Sequence, residues 1–431
     1  MASRALVIGG LTSGSGKTTV TLGLLRALAN KGEDIGAAKT GPDYIDCAFL
    51  AAASRTPAVN LDSHAMPRPL LRRLAAERPH EMLVVEGVMG LFDGTYGGSG
   101  STAQLAAALE APILLVLDTR HQGQTAAALA AGIETQLPAG TSLVGVVLNR
   151  IASPRHEELI REELEARNIT CFGCLKSDPA MSVPSRHLGL VQAADLAAQG
   201  ELEPKIDVAA KLVADSLDLE ALMAAMTPLA EDDGEMPSGS PPGQRIAVAH
   251  DAAFGFAYTH MLEGWHAAGA EILPFSPLAD EGANAAADFI FLPGGYPELH
   301  LPTLSANAGF LKSLRSAAER GIRIYGECGG FMALGEAVID ADSRAFQMAG
   351  LLSLETSFAE RKLHLGYRRL TPLADAWPGP DTVTGHEFHY TTALRAEGSP
   401  LFAAQDAAGR DLGKMGLSAG SVSGSYAHVI A

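Results

Sequence analysis

Arg4-Ala5-Leu6-Val7-Ile8-Gly9-Gly10-Leu11-Thr12-Ser13-Gly14-Ser15-Gly16-Lys17-Thr18-Thr19 decides the fold of the first half of this chain. A short apolar run enters a glycine-rich turn, and an Ala/Leu-rich stretch of helical pattern, 18–30, leaves it. Strand, glycine turn, Lys-Thr and helix make a phosphate cradle. Backbone N–H groups wrap the phosphates, the lysine neutralises charge, and the first threonine ligates Mg²⁺. Gly14, Ser15, Gly16, Lys17, Thr18 and Thr19 are therefore expected to bind ATP. Gly10 to Gly16 encloses five residues, where the common spacing is four.

Outward from this loop, apolar runs at 5–9, 35–39, 82–86, 113–118 and 143–149 alternate with helical patterns such as 125–136. Continuous apolar strands separated by helices predict a parallel sheet covered on both faces, with ligands at the strand carboxyl ends. Two acidic segments follow such ends: Lys39-Thr-Gly-Pro-Asp43-Tyr-Ile-Asp46 and Glu86-Gly-Val-Met-Gly90-Leu-Phe-Asp93. A lone Asp there is usually a helix cap. Four acids in two loops facing a phosphate cradle instead suggest hard oxygen ligands for Mg²⁺. Asp43, Asp46 and Glu86 are candidates for metal or substrate contact. Asn149 ends the fifth strand, in reach of an adenine or merely in a turn.

Residues 231–243, Glu-Asp-Asp-Gly-Glu-Met-Pro-Ser-Gly-Ser-Pro-Pro-Gly, are polar, rich in Pro and Gly, and aperiodic. They read as a linker between a domain at 1–230 and another at 244–431. Beyond it, strands at 245–250, 289–292 and 322–325 and a helix at 304–320 renew the α/β alternation, and the pattern past Gly350 is more strand-like. The strand at 322–325 runs into Gly326-Glu-Cys328-Gly-Gly330. A nucleophile on a sharp strand-to-helix turn needs small neighbours, and the helix N-terminus is expected to lower its thiol pKa. Leu292-Pro-Gly-Gly-Tyr-Pro-Glu298 ends another strand, with adjacent glycines able to aim N–H groups at an oxyanion. Among thirteen histidines, His428, His386 and His389 stand in distinctive local sequences, and spacing does not choose between them as base.

The hydrophobic fraction of 47% is ample for packed cores, and a net charge of −17 argues against nonspecific nucleic-acid binding. No apolar run is long enough to span a bilayer, and the start lacks a signal-peptide pattern, so a soluble, cytoplasmic protein is expected. Four cysteines make no disulfide framework. Cys171 and Cys174 read as small apolar residues at a strand end rather than half a zinc site, since no second Cys pair follows.

The longer loop resembles that of dethiobiotin synthetase-type enzymes. The second half resembles a class I glutamine amidotransferase in its ordered Gly-Gly-Tyr-Pro-Glu, Gly-Glu-Cys-Gly-Gly-Phe and late His. The expected fold is thus α/β in two domains: an N-terminal P-loop parallel-sheet domain and a C-terminal glutaminase-like domain. The resemblance implies Cys328 as nucleophile, His428 as its base, and Gly295 and Gly329 as oxyanion hole. The usual glutamate two residues after that His is Ile430 here, so the third member is absent or supplied from elsewhere, with Glu387 one candidate.

The fusion is similar to the cobyrinic and hydrogenobyrinic acid a,c-diamide synthases of cobalamin biosynthesis, over nearly the whole chain. Ser185-Arg-His-Leu-Gly-Leu190 and Gly385-His-Glu-Phe-His-Tyr390 add to the likeness. It implies a ligase that uses ATP, Mg²⁺ and L-glutamine to amidate carboxylates of a corrinoid or related tetrapyrrole through an acyl phosphate, with Thr18, Asp46 and Glu86 on the metal and Lys39, Asp43, Tyr44 and Asp93 at the acceptor. It also allows a homodimer, with no nucleic-acid or membrane partner. A polyanionic substrate calls for local positive charge, with candidates Arg186-His187, Arg361-Lys362 and Arg368-Arg369. The alternatives are cobyric acid synthase-like or nickel-sirohydrochlorin a,c-diamide synthase-like enzymes, or a regulatory P-loop ATPase with a non-catalytic glutaminase-like module.

Overall fold

The computed structural model describes residues 3–77, 80–176, 193–230, 240–374, 377, 379 and 381–431. The chain divides into two compact units, Met1–Pro237 and Ser238–Ala431.

The first unit is built on β1 (Arg4–Gly10), β2 (Ile35–Thr40), β3 (Val59–Leu61), β4 (Met82–Glu86), β5 (Ile113–Asp118), β6 (Leu143–Ile151) and β7 (Cys171–Lys176). They lie in the order β3-β2-β4-β1-β5-β6-β7, all parallel, and β8 (Thr227–Pro228) adds an antiparallel pair at the start of β1. Both faces of the central strands are buried, which is why they read as unbroken apolar runs. Helices α1 (Lys17–Lys31) and α2 (Tyr44–Ser54) start directly after β1 and β2, so their first turns and the end of β4 converge at one edge. Helix α1 packs against α2 and the helix Leu202–Ser216. Gly23 permits the latter, because a methyl there would fall 2.6 Å from the Ala209 carbonyl oxygen.

The second unit has a ten-stranded mixed sheet. Its parallel part is β9 (Arg245–Ala249), β10 (Glu271–Phe275), β11 (Phe289–Leu292) and β12 (Arg323–Glu327), in the order β10-β9-β11-β12. Val422–Ser425 extends it in parallel beside β12, and antiparallel strands from 364 to 429 complete it. A four-stranded sheet forms separately from Ala337–Ile339, Ala345–Gln347, Ser353–Ser357 and Thr392–Glu397. The single helix expected at 304–320 is two, Leu301–Ala306 and Ala308–Glu319. Asn307 leaves helical geometry between them, with its side-chain amide donating to the Pro277 and Leu278 carbonyls. No helix among the described residues is long and apolar enough to cross a membrane.

Candidate functional site

In the first unit, Gly16 takes a φ of 97°, and a side chain there would strike the Asn149 amide at 2.1 Å. That amide donates to the Ser15 carbonyl at 2.8 Å, and Arg150 donates to the Gly14 carbonyl at 2.8 Å while pairing with Asp118 at 2.6 Å. The end of β6 therefore braces the glycine loop from behind. Asn149 is buried and acts on the loop backbone, a role its strand-end position had not suggested. Lys17 Nζ donates to the Thr12 and Met89 carbonyls at 3.0 and 2.6 Å, joining the loop to the segment after β4.

At the carboxyl edge, Thr18 Oγ1 donates to Glu86 Oε1 at 2.6 Å. Lys39 Nζ lies 2.7 Å from Asp46 Oδ2 and 3.2 Å from Glu86 Oε1, with Lys39 and Glu86 both buried. Burial pushes the Glu86 carboxyl above the usual carboxylate range, against the pull of Lys39. Glu86 Oε2 and Ser15 Oγ are buried without a hydrogen-bond partner among the described residues. Unsatisfied hard oxygens beside a lysine-lined glycine loop fit a hydrated Mg²⁺ and phosphate oxygens. Asp43 caps α2, its Oδ1 accepting from the Ile45 and Asp46 N–H groups. Asp93 Oδ2 accepts from the Gly90 N–H and folds its own loop. Both stand near the site while serving the backbone. Arg186 and His187 lie outside the described residues.

In the second unit, Cys328 sits between β12 and the short helix Gly329–Leu334 with φ 45° and ψ −102°, a strained conformation for a non-glycine residue. Its N–H donates to the Ser425 carbonyl at 2.8 Å. The turn closes because Gly330 has no side chain: a methyl would meet the Leu292 carbonyl oxygen at 1.9 Å. Gly329 stands beside Gly295, with a methyl on the former falling 3.2 Å from the latter's nitrogen. The thiol is buried, and burial, followed by the charge of Glu298, pushes its pKa up. This overrides the lowering expected from the helix N-terminus, so Cys328 rests as a thiol.

His428 enters the same elbow beside Gly294. Val422–Ser425 beside β12 and Ala427–Val429 carry it in, and Gly294 makes room, since a methyl there would fall 2.2 Å from His428 Cε1. Burial lowers His428 to about 3 and keeps the ring neutral. Glu387, the candidate substitute for the missing glutamate, has other partners. Arg368 Nε donates to Glu387 Oε2 at 2.7 Å, and His389 Nε2 lies 2.8 Å from Oε1. Arg368, a candidate for substrate charge, is thus turned inward to Glu387, whereas Arg361, Lys362 and Arg369 are exposed. His364, Glu387 and His389 offer ligand atoms within 4.8 Å of one another, but Arg368 and His389 already occupy the carboxylate. Cys171 and Cys174 are free, half-buried thiols with sulfurs 4.0 Å apart.

Residues 6–191 match the CobQ/CobB/MinD/ParA nucleotide binding domain, and residues 245–431 match the CobB/CobQ-like glutamine amidotransferase domain. A hydrogenobyrinate a,c-diamide synthase of Rhizobium meliloti (strain 1021) is 49% identical over 432 residues, spanning 99% of this chain and 98% of the relative. A Sinorhizobium sp enzyme of that name is 50% identical over 99% of this chain and 98% of its own. One from Rhodobacter capsulatus is 46% identical over 99% of each chain. The chain belongs to the hydrogenobyrinate a,c-diamide synthase family. It carries the family's two activities as two separate constellations, an ATP-binding P-loop and a glutamine amidotransferase elbow. Reasoning from sequence missed two residues of this synthase-family elbow. Gly294 was visible only as one of a glycine pair, and Glu327 lay inside the quoted motif without a role. Glu327 is fully buried, with Oε2 3.7 Å from His428 Nδ1.

Proposed function

We propose that this chain amidates the a and c side-chain carboxylates of hydrogenobyrinic or cobyrinic acid, consuming one ATP and one glutamine per amide. The observation that carries the proposal is the 46–50% identity to synthases of that name across both units.

At the elbow, His428 takes the Cys328 proton and the thiolate sulfur attacks the carboxamide carbon of glutamine. The Gly295 and Gly329 N–H groups receive the oxyanion. The C–N bond breaks, and the nitrogen leaves as ammonia with the proton returned by His428. Water then cleaves the thioester to glutamate and free thiol.

At the glycine loop, Gly14–Thr19 cradle the triphosphate and Lys17 exchanges its carbonyl partners for phosphate oxygens. Thr18 and Glu86, with Asp46 beside them, would hold Mg²⁺, which when bound neutralises charge on the transferring phosphoryl group. Lys39 lies between Asp46 and Glu86 and fixes both carboxylates. A substrate carboxylate oxygen attacks the γ-phosphorus and ADP leaves. Ammonia then attacks the acyl carbon, phosphate departs, and an amide remains. Asp43, Tyr44 and Asp93 border the acceptor.

The test is incubation of the purified chain with ATP and amide-¹⁵N glutamine, with hydrogenobyrinic and cobyrinic acid in parallel, followed by mass spectrometry. Two ¹⁵N atoms per macrocycle are expected. No ATP-dependent incorporation into either acid, or incorporation at a single carboxylate, refutes the assignment.

A further inference from the structure

We propose that Glu327, the residue immediately before the nucleophile, is the carboxylate that orients His428, in place of the glutamate that Ile430 replaces. The inference rests on the reading of Cys328 and His428 as the glutaminase pair and deepens it.

The geometry comes from strand register. Glu327 closes β12 opposite Ser425, and the chain turns there so that His428 follows three residues later. Glu327 Oε1 accepts the Val429 N–H at 2.9 Å, which pins the carboxyl beside the histidine backbone. Its Oε2 has no hydrogen-bond partner among the described residues and lies 3.7 Å from His428 Nδ1. Glu327 is 0% and His428 2% exposed. A buried carboxyl oxygen without a partner is costly unless something completes it. His428 Nδ1 stands beside that oxygen, and a shift under 1 Å brings the pair into hydrogen-bond range.

An ionised Glu327 accepts Nδ1–H and so leaves Nε2 as the proton acceptor for Cys328. After transfer, it faces the imidazolium at short range in a dry site, where opposite charges attract strongly. A protonated Glu327 would donate to Nδ1 instead and spoil the tautomer. Glutamine hydrolysis must therefore rise with pH as Glu327 ionises. Burial holds that carboxyl at about 8, so the acid limb falls in an accessible range. Other titratable groups around the pair are Glu298 after β11, His386, Glu387 and His389 on the strand Val383–His389, Tyr325 on β12, and Tyr426. Arg368 lies on Glu387, and Arg361 acts on Glu298. The test has to separate these.

The experiment measures glutamate release by the full chain, with ATP and the acid substrate present, from pH 5.5 to 9 as kcat and KM for glutamine. Glu327→Gln, Glu327→Asp, Glu298→Gln and Glu387→Gln are compared with wild type. For Glu327→Gln, kcat should fall ~10²–10⁴-fold, with the acid limb lost and KM changed less than about 3-fold. Glu327→Asp keeps the charge on a shorter arm. It should retain the limb with an intermediate kcat, a rescue that a merely structural role would not give. Thermal melts establish that each variant is folded, and the Asp variant alone suffices if the Gln variant is not. Retention of the limb and of kcat within about 3-fold in Glu327→Gln overturns the inference. So does loss of the limb in Glu298→Gln or Glu387→Gln but not in Glu327→Gln. A wild-type chain that releases no glutamate, or a Cys328→Ser chain that does, removes the underlying reading instead.

Discussion

Gly294→Ala isolates the histidine's position from everything else in the elbow. The new methyl would lie 2.2 Å from His428 Cε1, 3.1 Å from Nε2 and 3.2 Å from Nδ1. Ordinary carbon contact begins near 3.4 Å, so the ring must retreat by about 1.2 Å (3.4 minus 2.2). It has nowhere easy to go, being buried with Glu327 on its Nδ1 side. Gly294 is not among the residues with positive φ, so the methyl adds bulk without backbone strain. Overpacking of this kind costs about 1–3 kcal/mol, a fall of a few degrees in Tm. A base displaced by about 1 Å loses about 10²-fold in rate. Glutamate release should therefore drop about 100-fold in kcat, with amidation driven by added ammonium salt as the internal reference. In a His428→Ala background the stability penalty of Gly294→Ala should vanish, because the colliding ring is gone. A Gly294→Ala chain with kcat within about 3-fold of wild type refutes the placement of His428. An unchanged penalty in the double variant refutes the collision.

Three further outcomes are expected. Cys328→Ser should release no glutamate and lose glutamine-dependent amidation, while ammonium-dependent amidation persists. An equal loss with both nitrogen donors would contradict two separate sites. Gly16→Ala pays for a left-handed backbone, about 1–2 kcal/mol, and breaks the Asn149–Ser15 bond, about 1 kcal/mol more. In an Asn149→Ala background only the first part should remain, so additivity in ATP titration calorimetry and in Tm would refute the brace. The third concerns pH. His428 sits at about 3 against an ordinary 6.5, so the unfolded chain binds the extra proton between those values and stability rises with pH there. Glu327 sits at about 8 against 4.5, so the folded chain holds the extra proton and stability falls with rising pH across that span. The two cancel from 4.5 to 6.5. From 6.5 to 8 the Glu327 share continues without the His428 offset and removes about 2 kcal/mol, with Glu298, raised to about 7, adding to the fall below pH 7. Glu327→Gln should remove the Glu327 share of that slope in denaturant titrations, and an unchanged slope would assign it elsewhere.

The parallel core was readable because fully buried strands leave unbroken apolar runs: 82–86, 113–118 and 289–292 were placed at their observed limits. Short or half-polar edge strands such as Val59–Leu61 and Glu271–Phe275 leave no such mark. The antiparallel strands beyond 364 alternate burial too irregularly for their pairing to be read. Motifs contiguous in sequence, the glycine loop and the cysteine elbow, could be recognised from local chemistry. What could not be read was long-range partnership. Nothing local says that Asn149 supports Ser15, or that Arg368 and His389 claim Glu387. Asp43 and Asp93 show the converse. They are acids in the right loops whose nearest backbone N–H groups claim them first.

The buried, neutral Cys328 is also protected from oxidation. Peroxide oxidises thiolates far faster than thiols, and overoxidation beyond the sulfenic acid is irreversible. A sulfur stored protonated, 4% exposed and in a site that keeps its base neutral, is a poor target for adventitious oxidants or general alkylators. Between turnovers the molecule keeps this sulfur unreactive, and its chemical durability is a by-product of the same burial that raises its pKa.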